Sequence, residues 1–277
     1  MKTIFIIGVD HSGTTILYKM LAQHPALCWF SQFSMRRGEI PGRRRLPGNV
    51  LANRLGRRLF HHAWQKPNTT GRYIPTPIGP PEIWDYLVPD TKRFWYEDDC
   101  TEEMKKRLQH ICEQECKQWK KTVLIIKSPR LTRSIRLLAT CLPDSCFIHI
   151  LRDGKAVSLS NMHKLSQKLP ADRREALKLS AMYWKDVVTY VDGAKEVLEG
   201  RLKSIHYEDF CKDVRHHIAK LLENVGLSAN GICNRLPKTL TITNGKHFNE
   251  CPLIYKEDLN TLLGATLSRY GYEPFAL

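Results

Sequence analysis

The chain has 277 residues, 42% of them hydrophobic and 26% charged, the balance of an ordinary globular protein long enough for one large α/β domain with a buried core. Forty-three Lys and Arg against 28 Asp and Glu leave a formal net charge of +15 at pH 7, which favours an anionic partner (nucleotide, acidic glycan, nucleic acid or anionic lipid) and says nothing about fold. No stretch reaches the about 18 consecutive apolar residues of a membrane span, and the nine scattered cysteines form no CxxC or Cys/His cluster of zinc-ligand spacing, so free thiols and a cytoplasmic location are expected.

In chain order, the apolar run Thr3–Gly8 reads as a buried strand, too short for a signal peptide. Thr15–Gln23 reads as a helix stopped by His24-Pro25, because the residue before proline is pushed out of the α region. Leu27–Ser31 is a second strand candidate. Thr101–Lys121 reads as a helix opening on a capping box, Thr101-Glu102-Glu103-Met104 being close to S/T-x-x-E in register, with acids in the first turn and lysines at the end. Thr122–Lys127 is a strand, Leu131–Cys141 a helix, Cys146–Leu151 a strand, and Asp153–Lys168 and Asp172–Leu198 are helices. Ser204–Tyr207 closes another strand and Asp209–Val225 is a helix. Strand alternating with helix implies a parallel central sheet with helices on both faces. We expect one domain over residues 1–277, broken by an irregular Arg/Pro-rich insertion over 35–96. Within it, Arg36–Arg72 holds nine Arg, one Lys and one Glu, most of the chain's excess charge, and it is the candidate acceptor-binding region.

Two strand ends carry the chemistry. After the first strand comes Gly8-Val9-Asp10-His11-Ser12-Gly13-Thr14-Thr15, a glycine turn into a helix. Backbone N–H groups of the turn, the positive end of the helix and the hydroxyls of Ser12, Thr14 and Thr15 all suit an anion. The spacing is that of the phosphate-binding loop of NTPases, with Thr14 where the lysine belongs; without that lysine, ATP or GTP hydrolysis is disfavoured. The strand Cys146–Leu151 ends in Arg152-Asp153-Gly154-Lys155-Ala156-Val157-Ser158-Leu159-Ser160. The Arg152 guanidinium suits a phosphate, and Ser160 joins it only if the strand end and the next helix frame one site.

Together these motifs resemble the two donor-binding motifs of sulfotransferases that use 3′-phosphoadenosine 5′-phosphosulfate (PAPS). The resemblance runs over residues 1 to about 32 and from about 101 onward and implies a P-loop NTPase-like three-layer sandwich. It implies that the loop Asp10–Thr15 holds the 5′-phosphosulfate, and that Arg152 and Ser160 bind the 3′-phosphate. Lys127, before Ser128-Pro129, would face the transferring group, Tyr207 of Tyr-Glu-Asp would lie near the adenine, and Lys246 would sit in a basic loop over the 3′-phosphate. PAPS is then the cofactor and adenosine 3′,5′-bisphosphate (PAP) the product. No carboxylate cluster suggests Mg²⁺, so no metal is expected.

The chain departs from the family at two places. His11 stands where many members carry Lys or Arg; it is the candidate to stabilise the leaving oxygen, and its partial charge near neutrality predicts activity falling at high pH. Gln32 stands where several relatives have a catalytic glutamate. Glu82, Glu39 and His163 are the remaining base candidates, with Glu82 of Pro80-Pro81-Glu82-Ile83-Trp84 favoured. The acceptor expected for nine arginines is an anionic glycan or glycolipid, and a peripheral membrane contact is compatible with the charge. A small-molecule kinase and a basic nucleic-acid-binding protein are the competing readings; no specific nucleic-acid motif is present.

Overall fold

A computed structural model describes residues 1–31, 77, 79, 81–88, 91–166 and 172–277. Five strands form one sheet: β1 (Lys2–Ile7), β2 (Leu27–Trp29), β3 (Val123–Lys127), β4 (Cys146–Leu151) and β5 (Leu202–His206). Their order is β2-β3-β1-β4-β5, and every pairing is parallel. Consecutive residues Ile4 to Ile7 are all buried, so both faces of β1 are covered, as a parallel sheet requires. Phe5 and Phe147 stack at 5.3 Å across β1 and β4.

Right-handed crossovers place α1 (Thr14–Leu21), which leads from β1 outward to β2, on one face. The connections running back the other way lie on the opposite face. They comprise α2 (Pro81–Leu87), α3 (Glu102–Trp119), α4 (Ile135–Cys141), α5 (Gly154–Ser166) and α6 (Arg173–Gly193). Beyond β5 follow α7 (Tyr207–Lys212), α8 (Val214–Asn224), α9 (Asn244–Phe248) and α10 (Leu253–Arg269). A second apolar cluster, centred on Trp184 and Leu263, joins α5, α6 and α10.

Several expected elements hold with adjusted ends. Thr101 caps α3 by accepting from the Met104 N–H at 3.1 Å; with Met at that position no acid returns the bond, so the capping box is half formed. The expected helix Leu131–Cys141 begins as a 3₁₀ turn, Pro129–Ser134. The expected helix Asp209–Val225 is two helices, because Asp213 leaves the α region and caps α8 through the His216 N–H at 3.1 Å. Tyr207 opens α7 instead of closing a strand. The irregular insertion contains a helix, α2, whose Trp84 meets Phe30 edge-on at 5.9 Å and whose Asp85 pairs with Arg130. The Arg36–Arg72 segment lies outside the described residues. All nine cysteines are unbridged.

Candidate active site

The site is built at the carboxyl edge of the sheet. Gly8 leaves β1 at φ 151°, His11 turns at φ 66° and Gly13 enters α1 at φ 96°. Gly13 has a second reason to be glycine: a Cβ there would stand 2.5 Å from the Tyr207 ring. Thr132, from the 3₁₀ turn after β3, holds Gly8 at both ends, accepting from its N–H at 2.9 Å and donating to its carbonyl at 3.1 Å. α1 starts with no side-chain cap and no acid in its first turn, so its unpaired N–H groups and positive end face the loop mouth.

The expected hydroxyl donors divide. Ser12 is buried, and both its N–H (3.1 Å) and its Oγ (2.6 Å) donate to the Val9 carbonyl, so it closes the loop and has no donor left for a ligand. Thr14 is also buried, and its methyl packs under Gly8. Thr15 is exposed.

Arg152 is only 6% exposed, and its guanidinium is fixed on every side. Nη1 donates to the His11 carbonyl at 2.6 Å, Nε to Asn244 Oδ1 at 2.8 Å and Nη2 to Thr243 Oγ1 at 3.0 Å. The ring of Tyr207 lies 4.6 Å beneath it. Ser160 Oγ sits 3.0 Å from His11 Nδ1, so the strand end and α5 do meet, on the two sides of His11. Gly154 permits this crossing, since a Cβ there would meet Trp184 at 2.7 Å, and Trp184 Nε1 donates to the Arg152 carbonyl at 3.2 Å.

The electrostatics are those of a cationic cleft. Desolvation lowers the His11 pKa from 6.5; Asp10 opposes this, and Lys164 and Arg152 add to it. Lys127, half-buried at the end of β3, is lowered from 10.5 by burial first, with Asp10 opposing and Lys164 and Lys19 adding. His247 on α9 is lowered by burial and then by Arg152, Lys246, His163 and His11. Among the described residues Asp10 is the one acid that bears on His11 and Lys127, and Asn161 donates to its carbonyl at 3.4 Å.

Other expected positions lie further out. Lys246 is exposed on α9, while Thr243 and Asn244 just before it make the contacts with Arg152. His163 is exposed near the end of α5. The Glu82 side chain, Gln32 and Glu39 lie outside the described residues. The chain leading into α2 does cross the end of β3, where a Cβ on Gly79 would overlap the Lys127 carbonyl. Among the described residues no group of three or more His, Cys, Asp or Glu could hold a metal ion, and no helix is long and apolar enough to cross a membrane.

A family profile described as "Sulfotransferase family" matches residues 3–230. The chain belongs to the sulfotransferase family. Omega-hydroxy-beta-dihydromenaquinone-9 sulfotransferase Stf3 of Mycobacterium tuberculosis and its Mycobacterium bovis counterpart are each 25% identical over 255 residues, covering 81% of this chain and 62% of theirs. The chain thus spans less than two thirds of the length of these curated relatives. Among solved structures, sulfotransferase STF9 from Mycobacterium avium superposes with a TM-score of 0.63 at 17% identity, covering 98% of this chain and 77% of that one. The sulfotransferase domain of the Synechococcus PCC 7002 olefin synthase gives 0.53 at 18% identity, over 99% and 95%. These likenesses support the P-loop-like fold of the described residues.

Sequence reasoning missed Thr132, Thr243, Asn244 and Glu208 in this member of the family. Glu208 does sit inside the Tyr-Glu-Asp motif, and Asn244 lies two residues before Lys246. The signal was in hand, but only the fold shows that the two side chains touch, Asn244 Nδ2 donating to Glu208 Oε1 at 2.7 Å.

Proposed function

We propose that the chain transfers the sulfuryl group of PAPS to a hydroxyl or amine acceptor and releases PAP. The observation that carries this is the junction of the two motifs: Arg152 and Ser160 both bond His11, at the mouth of the glycine loop. One phosphate held by the loop and α1 and another by Arg152 and Ser160 are what a 3′,5′-bisphosphate needs. The donor set fits such a ligand, since Arg152, Lys127 and Lys164 outnumber Asp10 there. A P-loop kinase fits less well, because buried Thr14 stands in the lysine position.

In the proposed reaction the acceptor oxygen attacks sulfur, and the bond from sulfur to the bridging oxygen breaks with its electron pair going to the 5′-phosphate of PAP. The acceptor proton leaves to a base, for which Glu82 is our candidate, or to solvent. Catalysis is then mostly alignment and charge stabilisation. His11, as imidazolium, would donate to the leaving oxygen, and Lys127 would balance charge on the sulfuryl oxygens. Tyr207 supports Arg152 from below, and the adenine would lie near it.

The curated relatives are named for a substrate with an omega-hydroxyl on a menaquinone-type lipid. A hydroxyl on a lipid or an anionic glycolipid, recognised with help from the Arg36–Arg72 segment, is the acceptor class we favour here, with the reaction at the cytoplasmic side.

The test is calorimetry with PAP and with 5′-AMP in the absence of metal. We expect micromolar PAP binding, about −8 kcal/mol, with AMP much weaker. Arg152→Ala should cost PAP about 1.5–3 kcal/mol, the range for a hydrogen bond to a charged group, and leave AMP nearly unchanged. Equal affinity for both ligands in the wild type would overturn the proposal.

A further inference from the structure

Arg152 is held by a chain of side chains that reaches to the carboxyl-terminal segment. Its Nε donates to Asn244 Oδ1 at 2.8 Å, and the other end of the same amide donates from Nδ2 to Glu208 Oε1 at 2.7 Å. Glu208 Oε2 accepts from the Tyr272 hydroxyl at 2.8 Å, and the Asp153 N–H points at Oε1 from 3.2 Å. Tyr272 also touches His206 Nδ1 at 3.1 Å, and its pKa is driven well up by burial and then by Glu208, so the phenol keeps its proton and remains a donor.

The segment carrying Tyr272 is itself pinned. Phe275 exchanges two hydrogen bonds with Asn260, Phe275 N–H to Oδ1 at 2.7 Å and Nδ2 to the Phe275 carbonyl at 2.9 Å. The buried ammonium of Lys155 bonds the Glu273 carbonyl, pairs with Asp153 at 3.5 Å and lies over the rings of Phe248 and Phe275, at 5.3 and 4.9 Å. Asp153 and Lys155 flank Gly154 directly after Arg152, so both ends of the relay are anchored to the same strand end.

The chemistry of the middle residue matters. An amide has an acceptor end and a donor end, so between a guanidinium and a carboxylate it has one satisfied orientation. It fixes the plane of Arg152 without laying a carboxylate against it. A direct Glu–Arg pair would hold the guanidinium as firmly and would also neutralise the charge an incoming phosphate needs. Two of the five Arg152 N–H groups, one on each Nη, are left for that phosphate, since three are used by His11, Asn244 and Thr243.

We propose that Tyr272, Glu208 and Asn244 form a positioning relay that pre-orients Arg152 and thereby sets the enzyme's preference for a nucleotide bearing a 3′-phosphate. None of the three touches the ligand in this scheme. The inference rests on the proposed function, because it assigns Arg152 to the 3′-phosphate.

The experiment is a calorimetric double-mutant cycle with PAP and 5′-AMP on the full chain, using Asn244→Ala, Arg152→Ala and their combination. Asn244→Ala should lower PAP affinity about tenfold, the upper end for one hydrogen bond, leave AMP unchanged and have no further effect once Arg152 is alanine. Tyr272→Phe, which deletes one oxygen, should lower the PAP-to-AMP ratio about threefold with its melting temperature within a few degrees of wild type. A loss shared equally by PAP and AMP, a loss that persists in the Arg152→Ala background, or an unchanged ratio in Tyr272→Phe would overturn the relay. These results differ from failure of the functional reading, in which the wild type itself would not distinguish PAP from AMP.

Discussion

In the proposed reaction, the placement of His11 makes donor binding a proton-linked event. In the ligand-free cleft its pKa lies below 6.5, from desolvation first and then the repulsion of Lys164 and Arg152, with Asp10 pulling the other way. A phosphate beside the ring reverses the balance and raises the pKa of the bound state. Between the free and bound values the complex binds one proton more than the free protein. Affinity is therefore full below the free-state pKa, falls as pH rises through the window by up to about tenfold per unit, and levels off above the bound-state pKa. The side chains of His163 and His247 also lie near the cleft and must be controlled for.

The assay is PAP calorimetry from about pH 5.5 to about 8.5, each pH in two buffers of different ionisation enthalpy so that proton uptake is counted directly. His11→Asn is the companion variant, because asparagine tolerates the left-handed backbone at φ 66°. We expect uptake approaching one proton near neutrality in the wild type and little in His11→Asn. The variant should lose about 1.5–3 kcal/mol of low-pH affinity, the range for a charge-assisted hydrogen bond. His163→Gln and His247→Gln should each keep most of the uptake. A pH-independent affinity in the wild type, or the same uptake in His11→Asn, would refute the role of His11.

Three further outcomes follow from the packing. Gly13→Ala combines left-handed strain with a clash against Tyr207 and should cost at least about 1–3 kcal/mol in thermal unfolding while abolishing PAP binding; wild-type affinity would show that the loop adapts. Thr132→Val leaves both polar groups of Gly8 without partners and should destabilise by about 1–3 kcal/mol, with Thr132→Ser restoring most of it; equal melting of all three proteins would contradict the clamp. His149, buried in β4 with Nε2 unpartnered, has its pKa pushed down to about 4 by burial. The unfolded chain then binds the extra proton between the two values, so stability falls as pH drops from 6.5 towards 4, by about 3 kcal/mol in all. Denaturant titrations should show that slope much reduced in His149→Leu, and an unchanged slope would assign it to other groups.

The sheet and its strand-to-helix junctions were legible because they are local. A fully buried parallel strand is a continuous apolar run, and KTIFII, VLIIK and CFIHIL are such runs. Where the pattern misled, a tertiary demand won. Asp213 splits a helical pattern by turning its carboxylate to cap the next helix, and Val214 N–H bonds Lys238 at 2.9 Å, a contact with no trace in the local sequence. Ser12 illustrates the same limit inside a motif: the letters of a phosphate loop offer three hydroxyls, but the turn that exposes the backbone needs one of them to close on Val9. Asn244 and Thr132 reach the site from 92 and 124 residues away along the chain, and no spacing rule connects such pairs.

The sheet order explains why two short motifs nevertheless meet at one crevice. β1 lies at the centre between β3 and β4; the crossover from β1 runs to β2 on one side and the later one from β3 passes over β1 to β4 on the other, and this reversal opens a crevice at the carboxyl ends of these strands. Four of the five strands end on one component of the cleft: Gly8 after β1, Lys127 on β3, Arg152 after β4 and Tyr207 after β5. The residue following a buried apolar run is thus brought to the crevice by topology, whatever lies between the strands. A polar or glycine-rich strand end is then the most informative feature of such a sequence. The segments that complete Arg152, at Thr243–Asn244 and Tyr272, come after the last strand, where no strand register announces them. They are held there by Glu208 and Lys155, the charged residues that follow the ends of β5 and β4.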